Sequence, residues 1–336
     1  MDSNWNILGH EWAVRMLRQH LAQPRHAYLF TGPRGVGRRT LAMRFAQALS
    51  CSAPKSAGEP CGECRDCKLM LAERHPDVLV VQALTELDPP GGPKEGGILK
   101  AQQVRELRPL LHLQPMQARY KVALFLRFHE ANEHAGNALL KTLEEAPSRS
   151  ILMLTAEAPE SVLSTIASRC EVLRLRPVDV SLITAELARL GLEDGRARLI
   201  ARLSGGCPGV ARRLAGDTNA LARRAVRLDE LRNLLAAPRV ARFAYAEKAS
   251  KDKDSLRETL LIWLSYWRDV LLRSADAEMP VMNLDRAAEI ESLAARIDLG
   301  QARGAVRRIE QSLDHLERSV NARLMTEVLL LDLPGA

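Results

Sequence analysis

Short apolar runs separated by amphipathic stretches fill the first half of the chain. Ala27–Phe30, Asp77–Gln82, Lys121–Phe128, Ile151–Thr155 and Glu171–Leu175 read as buried strands. Between them, Leu41–Leu49, Ile98–His112, Asn132–Glu145 and Pro159–Ile166 place apolar residues three or four apart, the period of a helix with one buried face. Trp5–Gln23 reads as a further helix, capped by Asn4 or Asn6, with Ile7, Trp12, Val14, Leu17 and Leu21 on its apolar positions. Pro109 is expected to kink or end its helix, and Pro147 to terminate another. Leu84–Gly97 is rich in Pro, Gly and acid and reads as a mobile surface loop. Strands alternating with helices predict a parallel sheet covered on both faces.

The pattern changes at Pro177. Beyond Asp179 the strand signals vanish. Ser181–Leu190, Gly195–Ser204 and a stretch opening at Gly205 and running to about Ala215 predict a small helical region. Ala220–Leu235, Arg239–Lys248, Ser255–Arg273, Leu284–Ile297 and a long Gly300–Leu333 predict a larger one. In the last, Val306, Ile309, Leu313, Leu316, Val320, Leu324 and Val328 form a stripe that needs a partner surface, of which a bundle seam within the chain supplies half. Trp263 and Trp267 share a helix face and read as core. The expected organisation is an α/β domain over 1–177, a helical lid over 178–216 and a helical domain over 217–336.

Composition adds little to this picture. The 336 residues are 46% hydrophobic and only 4% aromatic, a balance that favours helices over an all-β design. No apolar run approaches the roughly 20 residues of a membrane span, and the N-terminus lacks a basic-then-apolar signal, so a cytoplasmic location is expected. The net charge of +7 permits contact with nucleic acid without requiring it.

Two motifs carry candidate chemistry. Gly32-Pro33-Arg34-Gly35-Val36-Gly37-Arg38-Arg39-Thr40 lies between the first strand and a helix, the setting in which loop N–H groups and a helix N-terminus converge on phosphate. Gly32, Gly35 and Gly37 stand where a P-loop needs them. Arg38 replaces its lysine and Arg39 its magnesium-binding hydroxyl residue. The second motif is Cys51 followed by Cys61-Gly62-Glu63-Cys64-Arg65-Asp66-Cys67. Two overlapping CxxC turns plus an upstream cysteine supply four thiolates, the donor set of structural Zn2+ with no position left for water. A redox-active pair is the competing reading, but such pairs normally stand alone.

With these motifs in place, the chain resembles the delta-prime family of bacterial DNA polymerase III clamp-loader subunits. Asn137-Ala138-Leu139-Leu140-Lys141-Thr142-Leu143-Glu144-Glu145-Ala146-Pro147 is close to the clamp-loader signature, and Ser168-Arg169-Cys170 resembles its arginine-finger motif. The cysteine insertion is similar to the family's zinc module. Asn321, Leu324 and Glu327 resemble its collar helix. The resemblance implies an AAA+ P-loop sheet domain with a zinc module, a helical lid and a C-terminal collar. It implies a hetero-pentamer with delta and gamma/tau subunits that loads a sliding clamp onto primed DNA within the DNA polymerase III holoenzyme, a DNA-directed DNA polymerase. In that setting Arg169 is the finger supplied to a neighbouring gamma/tau ATPase, with Ser168 and Cys170 setting and packing its turn.

The sister gamma/tau motor has the same architecture, and an active motor-type ATPase is the alternative. The departures decide against it. Leu126 and Arg127 stand where the motor has Asp-Glu, Gly209 where it has the lid arginine, and the strand-four sensor falls on or beside Ala156. Glu130 reads as the start of the next helix rather than a catalytic acid. Self-contained ATP hydrolysis is therefore not expected, since phosphoryl transfer depends on positioning and charge neutralisation that these changes remove. Weak nucleotide binding through the glycines and Arg38 stays open. A zinc-containing nucleic-acid binder working alone is a further alternative, disfavoured because few aromatics lie near the cysteines for stacking.

Overall fold

The computed structural model describes residues 5–56, 58–82, 99–145, 147–318 and 320–334. The expected loop over 84–97 lies outside them. The chain divides into two compact units, Met1–Ile183 with Gly206–Val210, and Thr184–Gly205 with Ala211–Ala336.

The first unit is built on five strands, β1 (Ala27–Thr31), β2 (Val78–Val81), β3 (Lys121–Phe125), β4 (Ser150–Ala156) and β5 (Glu171–Arg174). They are parallel and lie in the order β2-β3-β4-β1-β5. Register places Leu29 of β1 opposite Leu154 on one side and Val172 on the other. Every residue of β1, β3 and β4 is buried, as an unbroken apolar run requires when both faces of a sheet are covered. Side chains alternate between the faces. Tyr28, Phe30, Leu124 and Met153 enter one core cluster, whereas Leu29, Ala123, Phe125 and Leu152 enter the other.

The crossovers include α1 (Glu11–His20), α2 (Arg38–Ser50), α3 (Arg65–Leu71), α4 (Ala101–His112), α5 (Glu133–Glu144) and the single turn α6 (Ser164–Ala167). Leu41 and Phe45 of α2 pack on the first face; Val104 of α4, Leu139 of α5 and Ile166 of α6 pack on the second. The loop before β3 is fixed by the buried Asp77, whose carboxylate accepts N–H bonds from Met116, Gln117 and Ala118 at 2.7–2.9 Å. Burial opposes its charge, but those three bonds prevail and hold its pKa below the ordinary value.

Several expected boundaries shift. The first helix begins at Glu11, not Trp5, because Trp5, Asn6 and His10 have φ of 53°, 55° and 61°, outside the helical region. His10 stands at its N-cap position, so Asn6 does not cap it, and Asn4 lies outside the described residues. Trp5 is buried all the same, stacked 6.4 Å from Phe45 with Nε1 donating to the Gly58 carbonyl at 2.8 Å. Pro109 sits inside α4 and neither residue 110 nor 111 leaves the helix. Glu130 does not begin the following helix. It closes a 3-10 turn, Phe128–Glu130, and Asn132 caps α5 by accepting from the Ala135 N–H at 2.8 Å. The Pro159–Ile166 stretch splits into a 3-10 turn, Pro159–Ser161, and α6.

The remaining helices are α7 (Val180–Arg189), α8 (Asp194–Leu203), α9 (Pro208–Gly216), α10 (Ala220–Ala236), α11 (Arg239–Ala249), α12 (Lys253–Ser274), α13 (Ala287–Ala294), α14 (Leu299–Glu317) and α15 (Ala322–Asp332). The divisions between the two units fall within α7, between α8 and α9, and within α9. In the second unit Leu260, Trp263, Trp267 and Val270 of α12 share a core with Ala302, Ala305 and Ile309 of α14 and Leu329 and Leu330 of α15. The two tryptophans are fully buried, and Trp263 Nε1 donates to the Arg227 carbonyl at 2.9 Å. The long final helix expected from its stripe is two helices. Asn321 ends the continuity, its side chain accepting from the N–H groups of Arg323 and Leu324 as an N-cap.

Candidate functional site

The glycine loop joins β1 to α2 and keeps the backbone of a phosphate cradle. Gly32, Gly35 and Gly37 have φ of 143°, 82° and 119°, a region that side-chain-bearing residues rarely adopt. At Gly32 the demand is also steric, since a Cβ there would lie 2.3 Å from the Leu175 carbonyl oxygen. The Gly32 N–H donates to the Glu157 carbonyl at 3.0 Å, tying the loop to the end of β4.

The side chains around this cradle are placed as follows. Arg38, the first residue of α2, is 9% exposed, and its Nη1 has no hydrogen-bond partner among the described residues. Burial lowers its pKa, countered by the nearby carboxylates of Glu157 and Glu130. Arg39 turns outward and pairs with Glu73. With Thr40, Met43, Gln47, Met70 and Glu73 it lines a cavity of about 220 Å³ between α2 and α3.

At the end of β3, Leu126 is buried, and Arg127 adopts a left-handed conformation with its N–H donating to Thr155 Oγ1 at 2.8 Å. Its guanidinium Nε lies 3.2 Å from Glu130. Burial raises the Glu130 pKa against the pull of Arg127, and burial lowers that of His129, which sits 3.8–3.9 Å from Glu130 and Glu157. Ala156, the last residue of β4, is fully buried and has no polar group to offer. Gly209 donates its N–H to the Gly35 carbonyl at 2.8 Å, and a Cβ at that position would lie 2.9 Å from the same oxygen. An arginine at 209 therefore cannot be accommodated without moving the loop.

The cysteine cluster lies at the opposite end of α2. Cys51 is the C-cap of that helix, and Cys64 is the N-cap of α3. The four Sγ atoms of Cys51, Cys61, Cys64 and Cys67 lie within 4.8 Å of one another, with pairs at 3.6, 3.8 and 4.0 Å. Sulfurs at the corners of a tetrahedron about 2.3 Å from a central Zn2+ would be about 3.8 Å apart, so the donor set fits. Gly62, at φ 77°, makes the first CxxC turn, and the N–H groups of Glu63 and Cys64 point at Cys61 Sγ. Those N–H groups lower the Cys61 pKa. Burial would raise that of Cys64, but the N–H of Cys67 and contacts from Ser52 outweigh it and bring the thiol to about 6. Cys67 is buried and pushed up. A bound cation would compensate that burial by stabilising the thiolate.

The arginine turn follows α6. Arg169 is exposed, with Nη2 2.9 Å from Glu144 Oε1 and Nη1 donating to the Thr165 carbonyl at 3.0 Å. Ser168 Oγ donates to the same carbonyl at 3.2 Å. Cys170 packs against the second core cluster, and burial pushes its thiol to about 12, which leaves it inert. Residues 168–170 thus form a turn with one outward cation. Glu144 is the member of this group that sequence reasoning did not single out; its place within the clamp-loader signature was the available signal.

The fold is a parallel α/β domain followed by helices. A family model described as DNA polymerase III, delta subunit, matches residues 9–179, and one described as its C-terminal part matches residues 218–334. The chain belongs to the DNA polymerase III delta subunit family that these models describe. It is 37% identical over 199 residues to the delta-prime subunit of Pseudomonas aeruginosa, covering 58% of this chain and 57% of that one. It is 30% identical over 179 residues to the delta-prime subunit of Bacillus subtilis, covering 53% and 50%. The tau/gamma subunit of Haemophilus influenzae is 34% identical over 187 residues, or 55% of this chain and 25% of that protein. The chain therefore matches little more than half the length of its curated delta-prime relatives. Among the described residues, no helix is long and apolar enough to cross a membrane.

Proposed function

We propose that the chain is the stator of a bacterial clamp loader. It performs no bond chemistry itself. It presents Arg169 to the γ-phosphate of ATP on an adjacent gamma/tau subunit. The observation that carries this reading is the pairing of an intact glycine cradle, stripped of metal, base and sensor groups, with an outward arginine on a defined turn. An arginine supplied in trans can be worth on the order of 10³–10⁵ in rate.

In this reading residues 1–177 form the AAA+ domain, 178–216 the lid and 217–336 the collar. Val320, Leu324, Val328 and Leu331 are exposed around α15, an apolar face suited to collar helices of delta and gamma/tau partners in a hetero-pentamer. The four cysteines hold structural Zn2+, which cross-links an insertion with little core of its own. The assembly acts in the cytoplasm on a sliding clamp and primed DNA, with any DNA contact by this chain made mainly to phosphates.

Reconstitution tests the reading. Mixed with delta and gamma/tau, the chain is expected to enter one complex of defined mass, and Arg169→Ala to enter it equally well but slow DNA-stimulated ATP hydrolysis. Unchanged hydrolysis by that complex defeats the finger assignment, and turnover by the isolated chain defeats the stator.

A further inference from the structure

We propose that Glu144 is the positioning residue for Arg169, fixing its guanidinium for the neighbouring subunit's triphosphate; this rests on the finger reading above. Glu144 is the last residue of α5, where the helix C-terminus presents unsatisfied carbonyls and negative partial charge. A carboxylate there is unfavourable unless a cation answers it, and Arg169 does so from 2.9 Å. The other terminal nitrogen of the guanidinium donates to the Thr165 carbonyl at 3.0 Å. Arg169 is thus bound at two points, by side chain and by backbone, on two different helical segments. Its remaining N–H donors are unused among the described residues.

An arginine held in this way differs from a loose one. A long side chain in water samples many rotamers, and that freedom must be lost when the guanidinium meets phosphate oxygens. Donors fixed before the charge develops need no such reorganisation. The carboxylate also opposes the arginine's charge, but Glu144 is half exposed, with 52% of its side chain in contact with water, so screening blunts that opposition while the geometric restraint persists. A spacing of 25 residues between the partners hides the pairing from local sequence motifs.

The test compares Glu144→Ala, Glu144→Gln and Arg169→Ala in complexes reconstituted with delta and gamma/tau subunits. Both positions are exposed, so the variants are expected to fold and assemble. Glu144→Ala is expected to remove at least about half of the DNA-stimulated turnover that Arg169→Ala removes, with KM for ATP unchanged within about twofold. Glu144→Gln, which keeps an acceptor oxygen, is expected to recover most of that loss. Native turnover in Glu144→Ala alongside a slow Arg169→Ala overturns the positioning role and leaves the finger standing. A Glu144→Ala loss explained entirely by higher KM or poorer assembly also overturns it. Native turnover in Arg169→Ala removes the finger reading, and this inference with it.

Discussion

The two ends of α2 have had opposite histories. At its N-terminus the glycines keep a cradle where, in the proposed reading, Arg38, Arg39, Leu126 and Gly209 stand in place of the groups of a hydrolytic site. At its C-terminus Cys51 begins a donor set with no member missing. Thirteen residues, about 20 Å of helix, separate them. The difference teaches that backbone and side chain answer to different demands. The loop conformation is needed to turn the chain from β1 into α2 beneath Leu175 and Gly209, whether or not phosphate ever arrives. In the proposed reading the four cysteines hold a metal because the segment between them has little apolar core with which to hold itself.

The largest expected effect is at the cysteine end. Removing bound metal with a strong chelator, or replacing Cys64 by Ser, is expected to unfold the 51–67 segment, because structural zinc sites contribute on the order of 10 kcal/mol of apparent binding energy. One zinc per chain by elemental analysis, lost together with hydrogen-exchange protection in that segment, supports the contrast. Full protection after complete metal removal breaks it.

Next comes the cradle. Gly32→Ala forces a Cβ to within 2.3 Å of the Leu175 carbonyl oxygen at a φ of 143°, and is expected to destabilise the first unit by about 3 kcal/mol or more, read from urea unfolding. A cost near zero would mean the loop is merely inherited. Gly209→Arg restores the residue type of a motor's lid but places a Cβ 2.9 Å from the Gly35 carbonyl oxygen. It is expected to cost about 1–2 kcal/mol and to create no hydrolysis. The smallest effect is expected from the double change Arg38→Lys with Arg39→Thr. It rebuilds the P-loop side chains while Leu126, Arg127 and Gly209 remain, so ATP turnover by the isolated chain stays at background. Measurable turnover would show that the other losses do not matter.

The central sheet was legible because β1, β3 and β4 are uninterrupted apolar runs, and that pattern has few other uses in a chain of this size. The two-sided core follows from it. The final helices were less so. A stripe spaced three and four residues apart runs on through Val320, and the break shows only in the Asn321 cap, a signal weaker than the periodicity around it. Trp5 and Ile7 misled for a related reason. They are core residues, but they reach the core from a turn, and spacing alone does not distinguish a turn from a helix start. Of the candidate site, the glycines and cysteines could be named from local spacing, and Arg169 from the family resemblance. The outward turn of Arg39 toward Glu73, and the tether from Glu144 to Arg169, depend on residues brought together only by the crossovers.

The exposed face of α15 bears on how the chain fares by itself. Leu324, Val328 and Leu331 left in water are an apolar face that favours self-association. Within the proposed assembly, expression without partner subunits is expected to yield a product that associates with itself as its concentration rises, since nothing then covers that face.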